Sequence, residues 1–248
     1  MRVFLSLLLS LVAGIAGAAE IRVLSSNAMR EALREVAPQF EKASGHKLAM
    51  TFVGSVDILK QLRAKEGGEA GRVDVVVLQI SSIDELIGEG RLVPGSRVDF
   101  ARSLVGAAVR AGTPRPDISS ADALKRTLLA AKSIVVSSGP SGVYMLGLFE
   151  RMGIPREKYI QAKPGVQTAE LVARGEVELC FQQLSELLPV KGIEFLGPLS
   201  ADVGHVTVFA GGIHAAAAEP QAARALMQYL ASPAAAPVLR AKGMEPAS

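Results

Sequence analysis

Val73-Asp74-Val75-Val76-Val77-Leu78 is an apolar run interrupted by a single acid. A strand with one wet face alternates apolar and polar residues. A valine-rich run of this length without alternation predicts a strand buried on both faces, as in a parallel sheet. On its N-terminal side, Ile21 to Leu24 reads as a short strand, and Ala28 to about Ser44 as a helix. Met29, Leu33, Val36, Ala37 and Phe40 give that helix its apolar face, and Gly45 stops it. Leu48 to Val53 is a second strand, Gly54-Ser55-Val56-Asp57 a turn, Ile58 to Lys65 a helix, and Glu66 to Gly71 a polar loop. On the C-terminal side come a helix over Ile83 to Glu89, a strand over Ser103 to Arg110 and a break at Thr113-Pro114-Arg115-Pro116. A helix over Ser120 to Ala131 follows, capped by Ser119 or Ser120, then a buried strand at Ile134-Val135-Val136. Gly139-Pro140-Ser141-Gly142 reads as a loop before a helix over Val143 to Met152. Thr168 to Arg174 is helical, and Val177 to Phe181, Ile193 to Leu196 and Val206 to Phe209 are strands. Helices over Pro220 to Leu230 and Ala234 to Lys242 finish the chain. Strands alternating with helices predict an α/β architecture with mainly parallel sheets.

The chain has 248 residues, enough for one large or two modest domains with a real core. Its 49% hydrophobic content excludes a disordered chain. Lys+Arg is 27 against Asp+Glu 24, a net charge of +3 with no clustered basic face and no tryptophan, which argues against nucleic-acid binding. The single cysteine, Cys180, excludes an intramolecular disulfide framework and reads as a small buried hydrophobe. Met1-Arg2, the apolar run Val3 to Val12 and Ala16-Gly17-Ala18 form an export leader pattern, with cleavage expected after Ala18. The apolar run is too short to span a membrane. The expected location is therefore the periplasm.

In parallel sheets ligands bind beyond the carboxyl ends of strands, in the loops that open the next helix. Four such loops share a small, polar character: Ser25-Ser26-Asn27, Gly54-Ser55, Ser137 to Gly142, and Gln182-Gln183. Serine hydroxyls and the free N–H groups of helix starts hold an anion without a full counter-charge. Taken singly, each serine reads more readily as a helix cap, and the joint pattern is what points to a site. Gly139 to Gly142 lacks the Lys-Ser/Thr ending of a phosphate loop, and no dinucleotide fingerprint, His-Glu-x-x-His or Gly-x-Ser-x-Gly is present. His46, His205 and His214 are far apart, so neither metal nor cofactor is expected.

Ser25-Ser26-Asn27-Ala28-Met29, Phe52-Val53-Gly54-Ser55 with Gln61, Val73-Asp74-Val75, Gly142-Val143-Tyr144 and Ala173-Arg174-Gly175-Glu176 occur in an order that resembles the periplasmic solute-binding proteins of ABC importers, of the molybdate-binding type. The resemblance runs from Ile21 to about Gly243. It implies a two-lobed periplasmic binding protein fold, each lobe a mainly parallel sheet flanked by helices. It places lobe I at residues 19–98 and 207–248 and lobe II at 99–206. The two hinge crossings would fall near Pro94 to Ser103 and Gly204 to Ala210. It implies a monomer that closes on a small anion and hands it to an ABC permease. The gripping residues would come from Ser25, Ser26, Gly54 and Ser55 on one side, and from Ser138, Ser141, Gly142, Tyr144, Gln182 and Gln183 on the other. Such proteins usually carry a tyrosine where this chain has Gln182-Gln183. Glutamine is both donor and acceptor, whereas a bare oxyanion needs donors only, so the change suits a ligand with hydroxyl or protonated oxygens, or an organic acid, and the expected anion is a molybdate-like oxyanion or a small organic acid. A polycarboxylate normally attracts an Arg fork. Arg30 and Lys60 are near the loops in sequence but read as solvated helix charges. The alternative reading is an aconitate isomerase-like enzyme, which moves a proton across an allylic system and needs an acid or base. Tyr144, Glu186 and His205 are its candidates.

Overall fold

The computed structural model describes residues 17–64 and 72–247. Most of the expected leader, and the loop expected at Glu66 to Gly71, lie outside those residues.

In chain order the first half contains β1 (Glu20–Ser26), α1 (Arg30–Ser44), β2 (Lys47–Val53), α2 (Ser55–Arg63), β3 (Val75–Gln79), α3 (Ile80–Gly88) and β4 (Val98–Arg110). The middle contains α4 (Ala121–Ala130), β5 (Ile134–Val136), α5 (Pro140–Met152), β6 (Tyr159–Gln161), α6 (Thr168–Ala173), β7 (Leu179–Gln183), α7 (Leu184–Leu187) and β8 (Ile193–Pro198). The chain ends with β9 (Val206–Ile213), α8 (Pro220–Leu230), α9 (Ala236–Ala241) and β10 (Met244–Pro246).

The strands run in the order β2-β1-β3-β9-β4-β7-β5-β6, with β8 and β10 also on β4. Two parallel sets, β2-β1-β3 and β7-β5-β6, are linked by the antiparallel strands β9 and β4. The long β4 serves both sets. Its residues up to Leu104 pair with β9, and from Val105 onward they pair with β7.

Both faces of the parallel strands are covered, which accounts for the continuous apolar run. Val75 and Val77 enter one core with Phe40, Phe209 and Met227, under α1, α8 and α9. Val76 and Leu78 point the other way, to Ile58, Leu62, Ile83 and Leu86 of α2 and α3. The second set repeats the plan. Ile134, Val136 and Phe181 face α4 and α5, while Val135 and Cys180 face α6 and α7. Burial raises the Cys180 thiol pKa to about 12, so it packs as a neutral group.

Gly45 terminates α1 in the left-handed region, with φ 76°, as expected. Ser120 caps α4, its hydroxyl accepting the Ala123 N–H at 3.2 Å. Several boundaries differ from the sequence reading. Ser25 and Ser26 are the last residues of β1, extended by ladder bonds to β2. Ser55 to Asp57 form the first turn of α2, and Pro140 to Gly142 that of α5. Gln182 and Gln183 lie inside β7, opposite Gly106 and Val105 of β4. Polar residues of these types favour loops by themselves, and here cross-strand pairing overrides that preference. β6, α7 and β10 are too short to show a period, and the sequence reading did not contain them.

The lone acid of the opening motif has a structural job. Asp74 is buried; its carboxylate accepts the Arg22 N–H at 2.8 Å, and on its other oxygen those of Ala218 and Glu219 at 2.8 and 3.0 Å. It ties β1 to the start of α8. Asp74→Asn keeps the shape but turns an N–H donor toward at least one of these groups. The expected loss is about 2–4 kcal/mol in urea unfolding. A loss below about 0.5 kcal/mol, the size of an ordinary surface change, would show that the tie contributes nothing.

Candidate functional site

The carboxyl ends of β1, β2, β3, β5 and β7 converge on one cleft. Its innermost part is a polar space of about 40 Å³, bordered by Ser26, Asn27, Gly54, Ser55, Ser138, Ser141, Gln182, Gln183 and Glu186. Outside it opens a larger space of about 530 Å³, sharing Ser55, Ser138, Gly139 and Pro140 with the first. On the other side of Asn27 and Glu186 is a cavity of about 430 Å³.

The local sequence explains why these positions are polar and open. α2, α3 and α5 begin at Gly54, Gln79 and Gly139, and no side chain caps any of the three. Their first N–H groups have no partner within the helix and add the positive end of its dipole. The serines beside these starts therefore do not act as caps. Ser26, 2% exposed, has a hydroxyl with no partner. Ser25 is different: its hydroxyl donates to the Ser26 carbonyl at 3.1 Å, and it does not border the cleft. Of the expected pair, Ser26 is thus the one presented to the space. Ser141 also borders it, with its hydroxyl 3.0 Å from that of Ser137.

Gly142 does not border either space. A Cβ there would come within 1.6 Å of the Ser137 carbonyl oxygen, so its role is to let α5 start tightly against β5.

Gln182 and Gln183 splay to opposite sides of β7. The Gln182 amide is fully occupied: its oxygen accepts Thr168 Oγ1 at 2.7 Å, and its nitrogen donates to Gln167 Oε1 at 2.7 Å and Glu186 Oε1 at 3.0 Å. Its geometry holds Glu186. Gln183 donates to Thr207 Oγ1 at 2.7 Å, and its buried oxygen has no partner.

The three titratable candidates are divided between the spaces. Glu186 borders the inner pocket, and its pKa is raised from 4.5 to about 7, mainly by burial. The Gln182 hydrogen bond and the Arg30 charge oppose that rise without cancelling it. Tyr144 and His205 border the outer space, stacked at 4.4 Å between ring centroids. The Tyr144 hydroxyl donates to the Val203 carbonyl at 3.0 Å, and burial lowers the His205 pKa. These two shape the mouth of the cleft.

Sequence reasoning missed the Gln79 to Ser82 turn, which borders the outer space. Its position right after the most apolar strand was the available signal. Lys60 is exposed, as expected. Arg30 is not a solvated helix charge: its Nε is buried, and the residue borders the side cavity with Glu186. Among the described residues no cluster of His, Cys, Asp and Glu could hold a metal ion, and no helix is long and apolar enough to cross a membrane.

The family model of the bacterial extracellular solute-binding proteins matches residues 21–245, and the chain belongs to that family. It is 39% identical over 229 residues to an aconitate isomerase from Pseudomonas sp., covering 91% of this chain and 87% of the relative. It is 26% identical over 253 residues to the molybdate-binding protein ModA of Azotobacter vinelandii, covering 98% of this chain and 96% of that protein. The solved periplasmic molybdate-binding protein of Azotobacter vinelandii superposes with a TM-score of 0.69 at 20% identity, over 90% of this chain and 98% of that one. That likeness shows a common fold.

The raised Glu186 pKa has a sign that can be tested. Between pH 4.5 and about 7 the folded protein holds a proton that the unfolded chain has released. Stability contributed by neutral Glu186 is therefore full below 4.5 and falls as pH rises toward 7. The expected fall is about 1–3 kcal/mol in urea unfolding. Glu186→Gln should flatten this part of the profile. An unchanged slope in that variant would place the titration elsewhere.

Proposed function

We propose that this member of the bacterial extracellular solute-binding protein family captures a small anion in its cleft, and that the anion is an organic acid with several carboxyl groups. The carrying observation is that the uncapped starts of α2 and α5 border one pocket with buried, unpartnered polar atoms of Ser26 and Gln183, while the uncapped start of α3 borders the adjoining outer space. Unpaired buried polar groups cost about 1–3 kcal/mol each, a cost that a bound ligand removes. Helix-start N–H groups and the Ser26, Ser55 and Ser138 hydroxyls serve an anion. The Gln183 oxygen and the Glu186 carboxyl are acceptors when Glu186 is ionised, and they disfavour a bare oxyanion. An acid with protonatable oxygens or C–H groups meets them without that conflict. The 39% identity to an aconitate isomerase favours a tricarboxylate of the aconitate type.

In this reading the chain is exported with a leader removed after Ala18 and works in the periplasm as a monomer. Residues 19–98 and 207–248 form one lobe and 99–206 the other. The lobes close on the ligand about the strands that link them, and an inner-membrane ABC permease receives it.

One observation favours a second reading, in which the cleft also isomerises its ligand. Glu186 borders the pocket with a pKa near 7, where an acid–base group works best at neutral pH. It would take a proton from the methylene carbon of cis-aconitate. The double bond then moves one position, and the proton returns to the former vinylic carbon to give trans-aconitate. One proton leaves and one is restored, with no redox partner.

A thermal-shift panel tests both readings. At a hundred times its dissociation constant a ligand stabilises the fold by about 2.7 kcal/mol. The aconitates should do so, and molybdate, tungstate, sulfate and phosphate should not. Ser55→Ala should weaken aconitate binding by about tenfold, the scale of one charge-assisted hydrogen bond. Ser232→Ala should match the parent, since that hydroxyl serves the Tyr229 carbonyl. A response to molybdate and tungstate alone would overturn the organic-acid reading. If cis- and trans-aconitate interconvert, Glu186→Gln should abolish turnover while retaining binding. Binding without interconversion would leave the receptor reading and remove the enzymatic one.

A further inference from the structure

We infer that Arg30 and Ser185 form a second anion subsite beside the cleft, which receives an additional carboxylate of a polycarboxylic acid. The inference rests on the organic-acid reading above and goes beyond it by assigning the residues that count carboxylates.

The inner pocket, at about 40 Å³, is less than a tenth the size of either neighbouring space, at about 430 and 530 Å³. A ligand with several carboxyl groups must extend into a neighbouring space. The outer space is bordered by Val56, Leu59, Ile80 and Val143, and no lysine or arginine lines it among the described residues. The side cavity, reached past Asn27 and Glu186, is bordered by Arg30, Arg174 and Lys191. The side cavity is therefore the neighbouring space that offers a cationic side chain to an extra carboxylate.

Within that cavity the cations are not equivalent. Arg174 is already engaged by Glu170 and Glu176. Arg30 and Lys191 have no ion-pair partner among the described residues, but Lys191 is exposed to solvent. One of the Arg30 amino groups donates to Asn27 Oδ1 at 2.5 Å, and its Nε is buried without an acceptor. Ser185, 3% exposed, has a buried hydroxyl that is also without a partner, and it borders the same cavity. A guanidinium N–H and a serine hydroxyl, unpaired on two residues that border one cavity, are donors of the kind that a carboxylate satisfies. The acidic residues facing the cavity are Glu31, Glu170 and Glu186. Glu31 pairs with Arg34 and Glu170 with Arg174, while Gln182 holds Glu186. Arg30 is thus fixed in place by Asn27 and by the Phe52 ring, 5.7 Å from its guanidinium carbon, with its Nε unspent.

Calorimetric titration with trans-aconitate and with itaconate tests this, because itaconate is the same skeleton with one carboxyl group fewer. The parent should bind trans-aconitate at least about tenfold more tightly, the scale of charge-assisted hydrogen bonds. Arg30→Met should remove that preference by weakening trans-aconitate alone, leaving itaconate within about threefold. Ser185→Ala, a change of one hydroxyl, should reduce the preference by a smaller factor. Melting temperatures without ligand serve as the folding control. Equal weakening of both acids by Arg30→Met would overturn the subsite and make Arg30 a general support of the pocket. An unchanged preference in both variants would overturn it too. Binding of neither acid by the parent is a separate result, which would remove the organic-acid reading and this inference with it.

Discussion

Strand β4 satisfies its backbone in two places, and the rest of the molecule is arranged around that fact. Up to Leu104 it pairs with β9, and β10 lies beside it; from Val105 it pairs with β7 and β8. Each parallel set therefore attaches to the same continuous strand. Parallel strands need helices on both faces, and each set has its own pair of apolar layers. The shared ladder bonds of β4 place the carboxyl ends of β1, β2 and β3 opposite those of β5 and β7 across one cleft.

Polar chemistry in the cleft follows from what the helices lack. Ser120 spends its hydroxyl on capping α4, away from the cleft. The starts of α2, α3 and α5 receive no such bond, although serines surround them. Donors and dipole ends are thus conserved for an external partner rather than used internally. Glu186 adds a group of the opposite preference. Its carboxyl is poised to be neutral or charged near neutral pH because burial outweighs the help it receives from Gln182 and Arg30. Donors, an unsatisfied amide oxygen and a titratable acid thus border one small space.

The alternation of strands and helices was legible in the chain, and so was the burial of β3 on both faces, because each rests on local periodicity. The small, polar character of the turns after the strands was also legible. Within those turns the sequence could not separate Ser25 from Ser26, or Gly142 from its neighbours. Ser25 is removed from the site by a single bond to the next residue's carbonyl, and Gly142 by a backbone contact with Ser137. Gln182 borders the inner pocket, with its amide held by Thr168, Gln167 and Glu186.

The sequence by itself determined the α/β class, the buried parallel strands, the glycine stop of α1 and the polar character of the strand-to-helix turns. All of these follow from residue spacing within a few turns of chain. Only the tertiary structure decided which hydroxyls are free, that Arg30 and Glu186 border one cavity, and that a glutamate carries a pKa near 7. Hydrogen-bond partnership and desolvation are set by neighbours from distant parts of the chain, and no local pattern encodes them.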